Sequence, residues 1–364
     1  MNVLGIETSC DETSAAIVRD GREVRSNIVS SQIELHRAHG GVVPELAARA
    51  QLTAIMPVVE EALTQAAMTL DDVDAIAVTQ GPGLAGSLLV GANFAKTLAY
   101  ARRIPLVGVN HLEAHLSANW LALPEDEPEA LPEFPMLALL VSGGHTELML
   151  MTGHGRYRHL GRTLDDAAGE AFDKGARLLG LGYPGGPAIQ KTAASGRSDA
   201  FALPRAWLGG THDFSFSGLK TALLREVEPY RLPDETADVD DDAPFRKHRP
   251  PRFAAEMPVA DLAASFQEAI VDVLAVKTVA AARFFETREI LLAGGVAANR
   301  ALRERLASEV GTIPGAMLRV PALAFCTDNA AMVAAAGYFS LRRGAQSGWE
   351  LDVASRLPIG GMIS

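Results

Sequence analysis

Apolar positions along the chain follow two different periods. Strand-length aliphatic runs occupy 3–8, 14–18 and 23–29, with the small, polar and acidic stretch Ser9-Cys10-Asp11-Glu12-Thr13 between the first two. From 44 to 67 the spacing changes: Leu46, Ala50, Ile55, Val59 and Leu63 recur every three to five residues, with Pro44 just inside the start, which predicts a helix. A strand over 75–78, a turn over 79–83, a small-residue-rich helix over 86–102 and a strand over 106–109 follow. The predicted order is β-β-β-α-β-α.

After a proline- and acid-rich linker over 124–135 the same opening returns. Strands are predicted at 136–141, 147–151 and 156–160, the first two joined by the turn Ser142-Gly143-Gly144-His145-Thr146. Helices follow over 168–179, 186–194 and 217–226, then a long one over 259–287. A strand at 289–292, the turn Ala293-Gly294-Gly295 and a helix over 296–306 come next, and a final helix runs to Tyr338 with Thr327 or Asp328 as its N-cap. This is a structural repeat without close sequence identity. Residues 231–252 break it with an acidic run followed by Arg246-Lys247-His248-Arg249, as expected of a mobile, exposed insertion.

Two β-β-β-α-β-α lobes can set their polar turns opposite each other across a cleft and offer backbone amides to phosphate. The expected fold class is α/β: a two-lobed actin/Hsp70/sugar-kinase-like fold with a duplicated core and a central nucleotide cleft. The expected lobes are 1–122, completed by 326–364, and 136–325.

Composition narrows the function classes. The chain has 364 residues, 48% hydrophobic and 21% charged, which is ordinary for a globular protein. No apolar run is long enough to span a bilayer, and the N-terminus meets Glu7 too early for a signal peptide, so no membrane and a cytoplasmic location are expected. Cys10 and Cys326 cannot build a disulfide framework. A net charge of −11 argues against a broad nonspecific nucleic-acid surface, but not against a local basic groove.

The strongest chemical signal is His111-Leu112-Glu113-Ala114-His115. Histidines four residues apart on a helix share one face and can converge on one metal ion. This is not the H-E-x-x-H of a metalloprotease, because Leu112 holds the place of the general base. Two inert, hydrogen-bonded histidines would give the same spacing.

The blocks around these features resemble the tRNA N6-adenosine threonylcarbamoyltransferase family, bacterial TsaD type, formerly called glycoprotease. The resemblance runs nearly end to end, from Leu4-Gly5-Ile6-Glu7-Thr8-Ser9-Cys10-Asp11-Glu12-Thr13 through Leu140-Val141-Ser142-Gly143-Gly144-His145-Thr146 to Cys326-Thr327-Asp328-Asn329. Phe214-Ser215-Phe216-Ser217-Gly218-Leu219-Lys220 and Gly294-Gly295-Val296-Ala297-Ala298-Asn299-Arg300 also match. The resemblance implies transfer of a threonylcarbamoyl group from threonylcarbamoyl-adenylate to the exocyclic amine of the adenosine 3′ of the anticodon, in tRNAs reading codons that begin with A, with release of AMP. It implies one divalent metal ion, Fe(2+) or Zn(2+), held by His111, His115 and Asp328. Leu140, Val141, Ser142, Gly143 and Gly144 match the loop along the adenylate phosphate. Asp173 and Gly186 match the ribose side, and Asn299 the nucleotide side. Asp11 and Glu12 face the reacting end in this reading, either as catalytic carboxylates or as a charged turn. The implied partners are tRNA, a shorter same-fold paralogue (TsaB type) and a small P-loop ATPase (TsaE type). Gln51 stands where the family commonly has a histidine. A noncatalytic same-fold scaffold and a metalloprotease are the alternatives.

Overall fold

The computed structural model describes residues 1–126, 130–233 and 250–360. Most of the insertion expected over 231–252 therefore lies outside the described residues. The first sheet comprises β1 (Asn2–Glu7), β2 (Glu12–Arg19), β3 (Glu23–Ser31), β4 (Ala75–Gly81) and β5 (Leu106–Asn110), in the order β3-β2-β1-β4-β5. β1 pairs antiparallel with β2 and parallel with β4, because a tight turn joins the first pair whereas a helix intervenes in the second. The second sheet comprises β6 (Met136–Val141), β7 (Thr146–Gly153), β8 (Arg156–Arg162), β9 (Glu289–Ala293) and β10 (Met317–Arg319). Its order, read from the matching edge, is β8-β7-β6-β9-β10, so the two sheets have the same topology.

Helices follow the same division. In the first half are α1 (Ile33–Arg37), α2 (Pro44–Gln65), α3 (Ala85–Arg102) and α4 (His111–Ser117). In the second are α5 (Ala168–Leu178), α6 (Gly185–Ala193), α7 (Ser217–Val227), α8 (Val259–Phe284) and α9 (Arg300–Val310). α10 (Ala330–Arg342) is last in sequence but packs on β1, β2 and β4 of the first sheet. Its alanine-rich face lets the helix lie almost on the strands, with Ala330 to Ala335 fully buried. The contact is close enough that a Cβ on Gly5 would run into the Ala330 carbonyl oxygen and the Ala334 amide.

Besides the short, unexpected α1, the structure differs from the expected elements in four places, each with a physical reason. Glu12 belongs to β2 and not to the preceding turn, paired with Ser31. The helix expected over 296–306 is broken: a 3-10 turn covers Gly295–Ala298, and α9 starts afresh under Asn299, whose side chain accepts from the Leu302 amide. The final helix is capped by Asn329, which accepts from Met332 N, so neither Thr327 nor Asp328 is the cap. The short β10 was not expected, since Met317-Leu318-Arg319 is too brief to carry a period.

Because the Gly5 contact is backbone to backbone, Gly5→Ala has no flexible neighbour to displace. Urea denaturation of the variant should register a loss of about 1–3 kcal/mol. An unchanged midpoint would mean that α10 does not hold this close approach.

Candidate active site

The site begins with a buried acid. Glu7 ends β1 with no exposure, and a buried carboxylate must be compensated. Its Oε1 accepts from the Ser9 amide, and its Oε2 accepts from Thr79 Oγ1 at 2.6 Å. The same Oε2 lies 3.1 Å from His111 Nδ1. A proton on Nδ1 donated to Glu7 leaves Nε2 as the free ligand nitrogen.

Asn110 starts α4 by accepting from the amides of Leu112 and Glu113, which sets His111 and His115 on one side of a short helix. Asp328 arrives from the loop before α10. Its Oδ1 is 3.5 Å from His111 Nε2 and 3.2 Å from His115 Nε2. One ligand atom from each of the three lies within 4.8 Å of the others. His115 is almost wholly buried, yet neither ring nitrogen meets hydrogen-bond geometry. An orphaned buried imidazole beside a carboxylate is what a bound cation would satisfy, so the donor set fits a divalent metal ion.

The electrostatics agree. Burial pulls His111 down, but the Asp328 and Glu7 carboxylates overcome it and lift the imidazole to about 9. Burial pushes Asp328 up, and the two imidazoles outweigh that and hold it at about 2. The group thus favours a positive charge at its centre. Glu113, the only acid between the histidines, accepts instead from the Gly360 amide at 3.2 Å and is tied to the C-terminal tail. It does not serve the triad as the glutamate of a zincin would.

Beside the triad lies a cavity of about 390 Å³ that contains Asp11, Glu12, Asp173, Gly186, Asn299 and Asp328 in its walls. Ser142 and Gly143 line it too, on the loop after β6. A Cβ at Gly143, Gly186 or Gly295 would meet nothing within 4 Å, so these backbones stand open to the cavity. Gly294 has φ +90° and lies so close that a Cβ would run into the Val141 carbonyl, which keeps the two turns in contact. Asp173 Oδ1 accepts from Gly185 N at 2.7 Å, and burial raises its pKa. Burial, then the charges of Asp328 and Asp11, push Glu12 up to about 10.

Four expected contributors take other roles or places. Leu140 and Val141 are core residues with no exposure; they carry the loop but their side chains belong to the hydrophobic clusters. Gly144 lines a second cavity on the far side of the loop, not the one with Asp173. The Asn299 side chain is committed to capping α9 and to Gln267, its Nδ2 donating at 2.9 Å.

Sequence reasoning missed two residues. Glu7 was visible as the lone acid closing an apolar run, but its partner is 104 positions away. Gln51, fully buried on α2, donates from Nε2 to the carbonyls of Thr8, Cys10 and Glu12 at 3.3, 2.9 and 3.2 Å and so pins the acidic turn. The cysteines are not activated. Burial raises both thiols, and Cys326 Sγ sits against Arg303 in a buried setting.

Fold and site together define a two-lobed α/β protein of the actin/Hsp70/sugar-kinase architecture, with a candidate metal group beside its central cleft. A family model, TsaD: tRNA N6-adenosine threonylcarbamoyltransferase, matches residues 23–335. A protein named tRNA N6-adenosine threonylcarbamoyltransferase from Thermomicrobium roseum is 59% identical over 360 residues, 99% of this chain and 97% of that one. One of the same name from Bacillus subtilis (strain 168) is 50% identical over 353 residues, 97% and 94% of the two chains. In fold alone, the solved structure of HypF from T. kodakarensis is similar, with a TM-score of 0.58 at 16% identity, covering 94% of this chain and 48% of that one. The chain belongs to the tRNA N6-adenosine threonylcarbamoyltransferase family.

Replacing Gln51 by Leu removes all three of its donations while keeping an apolar body of similar size. We expect a stability loss of about 1–3 kcal/mol from the stranded carbonyls. Amide exchange over 8–12 should quicken; unchanged exchange there would remove Gln51 from this role.

Proposed function

We propose that this protein transfers the threonylcarbamoyl group of threonylcarbamoyl-adenylate to N6 of the adenosine 3′ of the anticodon in tRNA and releases AMP. The single observation that carries the reading to this chain's own residues is the His111-His115-Asp328 cluster on the edge of a cavity lined by open glycine backbone. The division into lobes of 1–122 with 326–364 and of 136–325 is supported by the packing of α10 on the first sheet.

In this reading the adenylate lies in the Asp173 cavity. Ser142 and Gly143 run along its phosphate, where the missing Cβ of glycine permits close backbone approach. Asp173 uses one oxygen on the Gly185 amide and keeps the other for ribose hydroxyls. Gly186 leaves room for the sugar, and Asn299 contributes its place in the wall. His111 Nε2, His115 Nε2 and one Asp328 oxygen hold the metal ion; two imidazoles and one carboxylate suit Fe(2+), with Zn(2+) as the second choice. When bound, the ion supplies positive charge that polarises a carbamoyl or phosphate oxygen and offsets the carboxylates that push Glu12 up.

The new bond joins N6 to the carbamoyl carbon. The bond that breaks is the one from that carbon to the phosphate oxygen, which keeps the electron pair and leaves as AMP. N6 loses one proton, and Asp11 and Glu12 form the carboxylate pair that receives it. Cys10 borders the same cavity, but a thiol whose pKa is raised well above its ordinary range makes no covalent intermediate.

A TsaB-type paralogue, a TsaE-type ATPase and a cytoplasmic setting complete the proposal. The exposed Leu52 and Met56 on α2, 65% and 54% accessible, support a protein partner on that face. Among the described residues no helix is long and apolar enough to cross a membrane.

Plasma mass spectrometry of the purified protein should find about one metal ion per chain, falling to background in His115→Ala with Asp328→Ala. Retention of metal by the double variant would break the assignment of ligands. Glu12→Gln, assayed with tRNA and adenylate in the presence of the partners, should lower kcat by about 10²–10⁴ with AMP affinity unchanged. An undiminished kcat would leave Glu12 as an ordering residue only. The whole reading is tested by the nucleosides of bulk tRNA in depleted cells, where wild-type protein should restore N6-threonylcarbamoyladenosine.

A further inference from the structure

The triad has two sides. The cavity with Asp173 is one; on the other lies a second, larger one of about 490 Å³. The two share Cys10, Ser142, Gly143 and Asp328 and so adjoin at these residues. His111 borders the second cavity and not the first. The second cavity is also bounded by two segments with no role in the reading so far: the turn Pro82-Gly83-Leu84 after β4, and Ser355 to Pro358 of the C-terminal tail.

These segments are held in place. Leu84 N donates to the Ser9 carbonyl, and Ala354 N to the Gln80 carbonyl, both at 2.8 Å. Asn110 Nδ2 donates to the carbonyls of Leu357 and Pro358 at 3.2 and 3.1 Å. The residue that caps the histidine helix therefore also ties down the tail. The tail sets Arg356 at the rim, exposed, with no hydrogen bond or ion pair among the described residues. An adjoining depression, sharing Gly144, His145 and Glu147, carries Arg162. In a chain with a net charge of −11, this puts positive charge without a carboxylate partner at the cavity mouth.

We propose that this second cavity is the acceptor side of the site: it receives the target adenosine of the tRNA, base first, between the Pro82–Leu84 turn and the Leu357–Pro358 segment, with Arg356 set against a backbone phosphate. The proposal rests on the function above. The attacking nitrogen and the departing phosphate approach the carbamoyl carbon from different directions, and two cavities that adjoin at Asp328 provide two such approaches. The apolar plates Pro82, Leu84, Leu357 and Pro358 offer faces against which an extruded base packs, while the unpaired arginine meets the polyanion. The volume falls in the range of small-molecule sites.

Arg356→Glu tests this without touching the core, since the side chain is exposed. With the full chain, its partners, tRNA and adenylate, KM for tRNA should rise about tenfold or more. The slope of log KM against log salt should fall by about 1. AMP affinity, read by calorimetry, should stay as in wild type, and Arg356→Lys should recover most of the loss. A second arm uses tRNA with 8-azidoadenosine at the target position, photolysed on wild-type protein; adducts are expected within 82–84 or 355–358. An unchanged KM and salt slope in Arg356→Glu, or adducts confined to the Asp173 cavity, would overturn the assignment. A wild-type protein that leaves tRNA unmodified under these conditions would instead overturn the function on which it rests.

Discussion

A carboxylate with no access to water sits at the root of this site. Glu7 can remain buried at the end of β1 only because Thr79, the Ser9 amide and His111 answer it. Those three partners come from a neighbouring strand, the following turn and a distant helix. One buried charge therefore fixes the end of β1 against β4, orders the start of the acidic turn and chooses which nitrogen of His111 faces the cleft. The histidine pair is a ligand set, and not merely two imidazoles on a helix, because this acid orients one of them.

The third donor depends on chain topology. Asp328 lies more than half the chain beyond His111 yet must reach it, and it does so because the chain returns to the first sheet after completing the second. The return is made by α10, whose alanine face and the bare Gly5 let helix and strand meet nearly backbone to backbone. With Asn329 as the cap, Asp328 is left outside the helix with its carboxylate free for the histidines. Had Asp328 been the cap, its oxygens would have been occupied by helix amides. The one-residue difference in cap position is thus what separates a structural acid from a candidate ligand.

How much of this was legible in the sequence follows from the range of each interaction. Periodicity locates the strands of both sheets, apart from the three-residue β10, because burial on a sheet face is a local pattern. The H-x-x-x-H spacing is equally local. Glu7 and Gln51 escaped because their partners are remote in sequence: Gln51 reaches 39 to 43 positions back to collect its three carbonyls. Asn299 was picked out by its motif, but its side chain turned out to serve a cap and Gln267, a use that depends on where α9 begins. Leu140 and Val141 illustrate the reverse: a block can match a ligand loop while its first residues are core that merely supports the loop.

The site is built so that its few charged groups are balanced in pairs across boundaries between elements. Glu7 answers His111 from the far side, Asp328 answers both histidines from the cleft, and Glu113 is drawn away to the tail by Gly360. Asp11 and Glu12 are left on the adenylate side, where burial first and then the charges of Asp328 and Asp11 push Glu12 up. Such an arrangement is poor for stability and useful for chemistry: it leaves one spot where positive charge is favoured and one, in the same cavity, where a proton is. Both of those groups come from the first sheet and its helices, while the open glycine loop that faces them comes from the second, so the cleft between the lobes is where they meet.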